Sequence, residues 1–298
     1  MAETKIAGIM RAGAYSPNHV GNDAAIFNAV CDNLRRRGCQ VDVYSEEQFI
    51  ESGVKPEIIV SMCRQLPTIL HLQKLESAGS LVINSAFGIK NCTRERMTRI
   101  LLGSGVPYPE SLIVNTDESA LNALKNAGFG ACWIKRADTH TQHKEDVTYC
   151  RHVEEAQEVL QEYFYRGIKR AVINRHIEGD WIKFYGVAGT PFFHWFFQML
   201  PTGSHYCWTP LNEDPAKMQE LGARLREISE VGARELGIIV YGGDCILGAD
   251  GSLVIVDFND WPSFAPCREE APIYIAKSIL TQIKEFRSGK RPENPQAK

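Results

Sequence analysis

The chain has 298 residues, 44% of them apolar and 23% charged, with a formal net charge of −3. That is the make-up of a globular protein of one large domain or two to three lobes, without a basic field that would attract nucleic acid. No apolar run is long enough to span a membrane, MAETKIAGIM is too polar for a signal peptide, and nine scattered cysteines without paired spacing read as the reduced thiols of a cytoplasmic protein.

Residues 5–10 form a short apolar strand, followed by a loop over 11–22. Residues 23–37 carry helical spacing through Ile26, Val30 and Leu34 and stop at Gly38. Strands at 40–44, 57–60 and 81–84 and a helix at 68–77 complete an alternation that predicts a small parallel α/β lobe. A second lobe begins near Ser85 with a helix over 93–103, capped by Thr93. Val106-Pro107-Tyr108-Pro109 is extended chain. Strands at 112–114 and 132–135 flank a helix at 118–127, and an amphipathic helix covers 153–165. Strands at 171–177 and 181–187 bracket Glu178-Gly179-Asp180. The apolar run 191–200, broken by His194 and Gln198, reads as a buried strand and turn. A long helix at 217–236, strands at 240–247 and 253–258, and a last helix at 271–286 follow, with a polar tail from Ser288.

The most informative stretch is VYGGDCILGADGSLVIVDFNDWPSF, residues 240–264. Asp250-Gly251 between two apolar runs is a strong hairpin signal. A two- or four-residue loop centred there places Asp244 opposite Asp257, whereas a three-residue loop slips the pairing by one and separates the acids. Asn259, two residues on, shares the face of Asp257. Two carboxylates facing each other across a hairpin repel. A hard divalent cation with oxygen ligands, such as Mg²⁺, is the natural compensation, and a solvated hairpin face is the alternative.

Three further features precede or follow this hairpin. Lys135 ends the strand CWIK and enters the polar loop RADTHTQHKED. VINRHIEGDWIKFYGV, residues 172–187, is an extended segment whose break at Glu178-Gly179-Asp180 exposes backbone groups able to meet a purine edge. Arg268 follows in WPSFAPCREEAP, where it can grip a carboxylate or phosphate, or else pair with Glu269 or Glu270.

The order of Lys135, the broken segment 172–187 and then the acidic hairpin resembles the ATP-grasp superfamily over nearly the whole chain. The resemblance implies an α/β and α+β architecture: an N-terminal Rossmann-like lobe (1–90), then two α+β subdomains (91–170 and 171–298) that clasp ATP. It implies that Lys135 meets the α-phosphate side, and that Asn174, Arg175 and Ile177 form the adenine hinge, largely through backbone groups. Asp180 falls where an acid binds ribose. Asp244, Asp257 and Asn259 match the ligands of one or two Mg²⁺, for which Mn²⁺ can substitute. Arg94 falls near a second phosphate lysine of many members. The loop 138–146 departs from the family: it has none of the usual glycines and offers His140, His143 and Lys144 instead.

Such enzymes activate a carboxylate by phosphoryl transfer and join it to an amine, as in glutathione synthetase and the ribosomal-protein glutamate ligases. A small-molecule kinase like the inositol trisphosphate kinases is the alternative. Asp257 in place of the ligases' glutamate, and the segment DFNDWPSF, favour it; the lack of a dense Lys/Arg cluster opposes it. Candidate residues for the carboxylate or phosphate substrate are Lys183 on KFYGV, Arg268, Arg11, Asn18 and His19 after the first strand, and His140 and His143. His205, Tyr206 and Trp208 mark a candidate substrate flap. The mix of charges leaves room for a homodimer.

Overall fold

In the computed structural model the described residues are 3–15, 20–117, 119–137, 146–198 and 214–290. They form three four-stranded sheets. The first has the order β2-β1-β3-β4 and is wholly parallel, with β1 (Thr4–Ile9), β2 (Cys39–Tyr44), β3 (Ile58–Ser61) and β4 (Leu81–Ile83). Both faces are covered, as parallel sheets require. Helix α1 (Val20–Arg36) packs Ile26, Phe27, Val30 and Leu34 on one face. Helices α2 (Glu46–Ser52), α3 (Leu66–Ser77) and α4 (Ala86–Asn91) bring Phe49, Ile69, Leu72 and Ile89 to the other.

The two short helices α2 and α4 are absent from the sequence expectations. Both have local start signals. Ser45 accepts from the Gln48 amide at 3.1 Å while the Gln48 side chain accepts from the Ser45 amide at 2.9 Å, a reciprocal capping box. Ser85 caps α4. Helix α5 (Arg94–Ser104) follows. Thr93 does sit at its N-cap position, but its hydroxyl donates to Lys90 O at 2.9 Å and does not cap the helix.

The second sheet is antiparallel, β5-β8-β6-β7, from β5 (Ser111–Asn115), β6 (Cys132–Arg136), β7 (Val147–Cys150) and β8 (Arg170–Arg175). Helices α6 (Ser119–Ala127) and α7 (Val153–Tyr165) cover one face with Ala120, Leu124, Ala156 and Leu160. The third sheet is β10-β9-β11-β12, from β9 (Asp180–Val187), β10 (Phe193–Phe197), β11 (Val240–Leu247) and β12 (Leu253–Asp260). Helix α8 (Pro215–Leu236) and α5 cover one of its faces. Asp214 caps α8, accepting from Ala216 N at 3.0 Å, and Pro215 suits the first helical turn, so the helix starts two residues before the apolar spacing alone suggests.

The uncovered faces of the second and third sheets meet. The Trp133 and Trp181 rings lie 6.4 Å apart across the gap, and Lys135 of β6 reaches the β12 backbone. The last helix, α9 (Ala271–Arg287), departs from the expected division at residue 171: Ile275, Ile279 and Ile283 pack with α1 in the core of the first lobe. Asn84, buried after β4, ties that lobe to β11 by donating to Val240 O at 2.8 Å and accepting from Ile239 N and Val240 N.

Candidate functional site

The β11–β12 hairpin brings Asp244 directly opposite Asp257, as the sequence predicts, but by a different route. Next to the turn the pairs are Leu247 with Leu253, Ile246 with Val254 and Cys245 with Ile255. Gly251, at φ 79°, donates to Gly248 O, and Gly248 donates to Ser252 O at 2.9 Å. This is the odd-length register, which on its own would set Asp244 against Val256. A bulge at Val256 absorbs one residue and restores the pairing. It also reverses the strand's facing. Leu253 and Ile255 point to the α8 core before it and Phe258 after it, so Asp257 turns to the opposite face. Gly243 permits the close approach: a Cβ there would lie 2.2 Å from Asp257 O.

Cations surround the two acids. Asp244 Oδ1 accepts from Lys183 Nζ at 2.8 Å and from Trp181 Nε1 at 3.0 Å. Asp257 Oδ2 lies 3.9 Å from Arg94 Nη2, and its Oδ1 accepts from the Phe258 amide at 3.1 Å. The bulge turns Val256 O toward the gap, where Lys135 Nζ donates to it at 3.1 Å. Lys135 is 8% exposed. Burial, then the neighbouring Arg94, push its pKa down to about 8, against the pull of Asp257 and Asp244. Burial also opposes the charge on Lys183, but Asp244 outweighs it and holds that ammonium above the ordinary lysine value. Compensation of the facing acids is thus supplied in part by the protein's own cations.

A metal fits the remaining donors. Among the described residues no group of three or more His, Cys, Asp or Glu could hold an ion. The candidate set is therefore two carboxylates and an amide, Asp244, Asp257 and Asn259, the last opposite Gly242 on the cleft-facing side. Oxygen donors alone suit a hard cation such as Mg²⁺.

At the junction of β8 and β9 the sequence expectations divide. Asn174 is buried on the cleft face beside Trp133, its Nδ2 donating to Ser111 Oγ at 2.7 Å. The Arg175 side chain turns away, paired with Glu110 at 2.8 Å and stacked over Phe129 at 4.7 Å, so only its backbone remains available near the hinge. Ile177 lies between the two strands. Asp180 requires correction. It is the first residue of β9, 4% exposed, and strand alternation sets it on the core face with Ile182 and Phe184. Trp181 takes the cleft-facing place. Gly179, at φ 156°, makes the tight entry into β9; a Cβ there would lie 2.2 Å from Leu247 O.

Trp133, Tyr149 and His176 continue the wall begun by Trp181. Trp133 Nε1 donates to His176 Nδ1 at 3.1 Å, and the Tyr149 and His176 rings are 5.0 Å apart. Burial lowers the His176 pKa, against Glu178, which favours the neutral acceptor seen here. Alternation from Lys135 back to Trp133 was the available signal for this wall.

Arg11 is also corrected. Its guanidinium donates to Asp23 at 2.9 Å and to the carbonyls of Met62, Asp260 and Trp261, and its side chain is 7% exposed. It fastens the first lobe to the end of β12 and is not open to a substrate. Arg64, missed in the sequence, does the same: it ion-pairs with Asp260 at 2.9 Å and donates to Asp260 O. Arg268 bonds Asn22 Oδ1 at 2.7 Å rather than Glu269 or Glu270, and its buried Nε has no hydrogen-bond partner among the described residues. Asn18, His19, His140, His143, Lys144, His205, Tyr206 and Trp208 lie outside the described residues.

No protein-family model matches the chain, and no curated protein matches it in sequence. Solved structures do match its shape. D-alanine–D-alanine ligase from Bacillus anthracis, solved with ATP, superimposes with a TM-score of 0.69 at 15% identity, covering 99% of this chain and 100% of that one. A RimK domain ATP-grasp protein from Sphaerobacter thermophilus gives 0.67 at 15% identity, over 93% and 100%. The D-cycloserine synthetase DcsG gives 0.64 at 15% identity, over 94% and 99%. With three sheets in this arrangement and a lysine of one reaching the acidic hairpin of another, the chain has the ATP-grasp fold.

Proposed function

We propose that this protein is an ATP- and Mg²⁺-dependent ligase that joins a carboxylate to an amine on a small molecule or peptide. One observation carries the reading: Lys135 from one sheet lies against the bulge that aims Asp257 at Asp244 on the other, with Arg94 and Lys183 beside them. That is a cleft lined for a polyphosphate and its cation. The solved ligases of the same fold support it.

In this reading the nucleotide lies between the two sheets, its base along Trp133, Asn174 and His176 and its phosphates toward Lys135 and Arg94. Phosphoryl transfer depends on positioning and charge neutralisation more than on covalent help from the protein. Bound Mg²⁺ would neutralise charge on the phosphates and fix their geometry, held by Asp244, Asp257 and Asn259. Lys135 and Arg94, both buried, add fixed positive charge there. The substrate carboxylate attacks the terminal phosphorus and ADP leaves; the amine then attacks the acyl carbon, phosphate leaves, and the amine gives up a proton. Arg268 is the candidate grip for the carboxylate. Arg11 and Arg64 are engaged between lobes, so the described surface offers few cations to a polyphosphate acceptor, which favours the ligase over the kinase.

The test is ATP turnover against pooled metabolites, with phosphate release and product mass both read. Free phosphate with a dehydrated conjugate of two pool members supports the ligase; ADP without free phosphate and a phosphorylated product establishes the kinase. Asp257→Asn should melt like the parent and lose turnover by at least about a hundredfold, the scale of removing one preorganised electrostatic group. A folded variant that still turns over ATP removes Asp257 from the mechanism.

A further inference from the structure

Asp244 is the acid most constrained by its neighbours. A carboxylate oxygen has two lone pairs. On Oδ1 of Asp244 both are occupied, one by the Lys183 ammonium at 2.8 Å and one by the Trp181 indole N–H at 3.0 Å. Only Oδ2 remains for a cation. Asp257 is constrained too: Oδ1 receives the Phe258 amide, and Oδ2 faces Arg94 at 3.9 Å. Two-metal phosphoryl-transfer sites hold their ions about 3.5–4 Å apart and need shared or multidentate carboxylates to do so. Two acids with one oxygen already saturated are poorly equipped for that. The charges agree. Lys135, Arg94 and Lys183 stand beside Asp244 and Asp257, so the phosphates of a nucleotide meet fixed cations before any divalent ion arrives.

We propose that this cleft loads one divalent cation per nucleotide, and that the Lys183 ammonium, fixed on Asp244, stands where a second cation would otherwise be needed. The Trp181 indole has the positioning role: it holds Oδ1 toward Lys183 and so presents Oδ2 to the single ion. The inference rests on the nucleotide reading of the cleft.

The experiment is a Mn²⁺ titration followed by electron paramagnetic resonance, with the full chain and the β,γ-imido analogue of ATP at equal concentrations. Wild-type protein should show a break at one Mn²⁺ per chain. A break at two overturns the inference and leaves the nucleotide reading intact, whereas calorimetry showing no binding of the analogue overturns both. Lys183→Met keeps the side-chain stem and removes the charge; a second Mn²⁺ should then bind per chain. If it still takes one, Lys183 is not what excludes the second ion and that assignment falls. The wild-type stoichiometry decides the main claim even if the variant fails to fold.

Discussion

Lys135→Met should make the protein more stable and its nucleotide binding weaker. The buried ammonium has a pKa of about 8 against an ordinary 10.5, a cost of about 3 kcal/mol at pH 7 at roughly 1.4 kcal/mol per unit. The side chain is too buried for solvent to discount much of that. Methionine keeps the unbranched stem and removes the charge; the hydrogen bond lost to Val256 O returns about 1 kcal/mol. The net gain of about 2 kcal/mol should raise the melting temperature by about 4 °C in calorimetry at pH 7. The pH dependence is a second check. Between pH 8 and 10.5 the unfolded chain binds more protons at this lysine than the native one, so wild-type stability rises with pH through that window. The advantage of the variant should therefore shrink from about 3 to about 2 kcal/mol between pH 7 and pH 9, before the hydrogen-bond correction. ATP affinity at pH 7 should fall at least about tenfold, roughly 1.4 kcal/mol. A variant that melts at or below the parent, or a gap unchanged at pH 9, refutes the claim that Lys135 is a desolvated cation; unchanged ATP affinity rejects its role at the phosphates.

Asp260→Ala leaves Arg64 charged and buried without its ion-pair partner, and should lower unfolding stability by about 3 kcal/mol in urea titrations. A loss below about 1 kcal/mol would mean the pair does not hold the lobes together. Gly243→Ala places a methyl group against Asp257 O and Phe184, and should both destabilise the hairpin and abolish Mn²⁺ binding; retained binding at wild-type affinity would show that the hairpin can shift to accept it.

How much of this was legible in the sequence depends on how local the cause is. The parallel lobe, the long helices and the hairpin follow from apolar spacing and turn residues, which act over a few positions. Helices α2 and α4 are too short to show a period, though Ser45 with Gln48 is a capping signal. Asp180 was misplaced because a strand flips its facing every residue, and the apolar pattern does not say at which residue Gly179 releases the chain into β9. Trp181 is adjacent to Asp180 in sequence and opposite to it in space. Arg11 looked like a ligand group since it follows the first strand of a parallel sheet; its partners Asp260 and Trp261 come from some 250 positions away, beyond any local rule. Arg64 and Asn84 were hidden likewise, their partners lying 196 and 156 positions away.

The hairpin gives the sharper lesson, because a correct pairing came from an incorrect loop. Counting outward from Asp250-Gly251 with an even loop sets Asp244 against Asp257; the chain instead makes an odd loop and adds Val256 as a bulge. The two routes differ in chemistry. An even register would keep Ile255, Asp257 and Asn259 on one face, so that an apolar side chain buried among α8 residues would drag the acid in with it. The bulge separates the two demands. Ile255 and Phe258 both fill the core, Asp257 faces the cleft, and the displaced Val256 carbonyl becomes the acceptor that holds Lys135. One extra residue therefore aims the acid and anchors the lysine together.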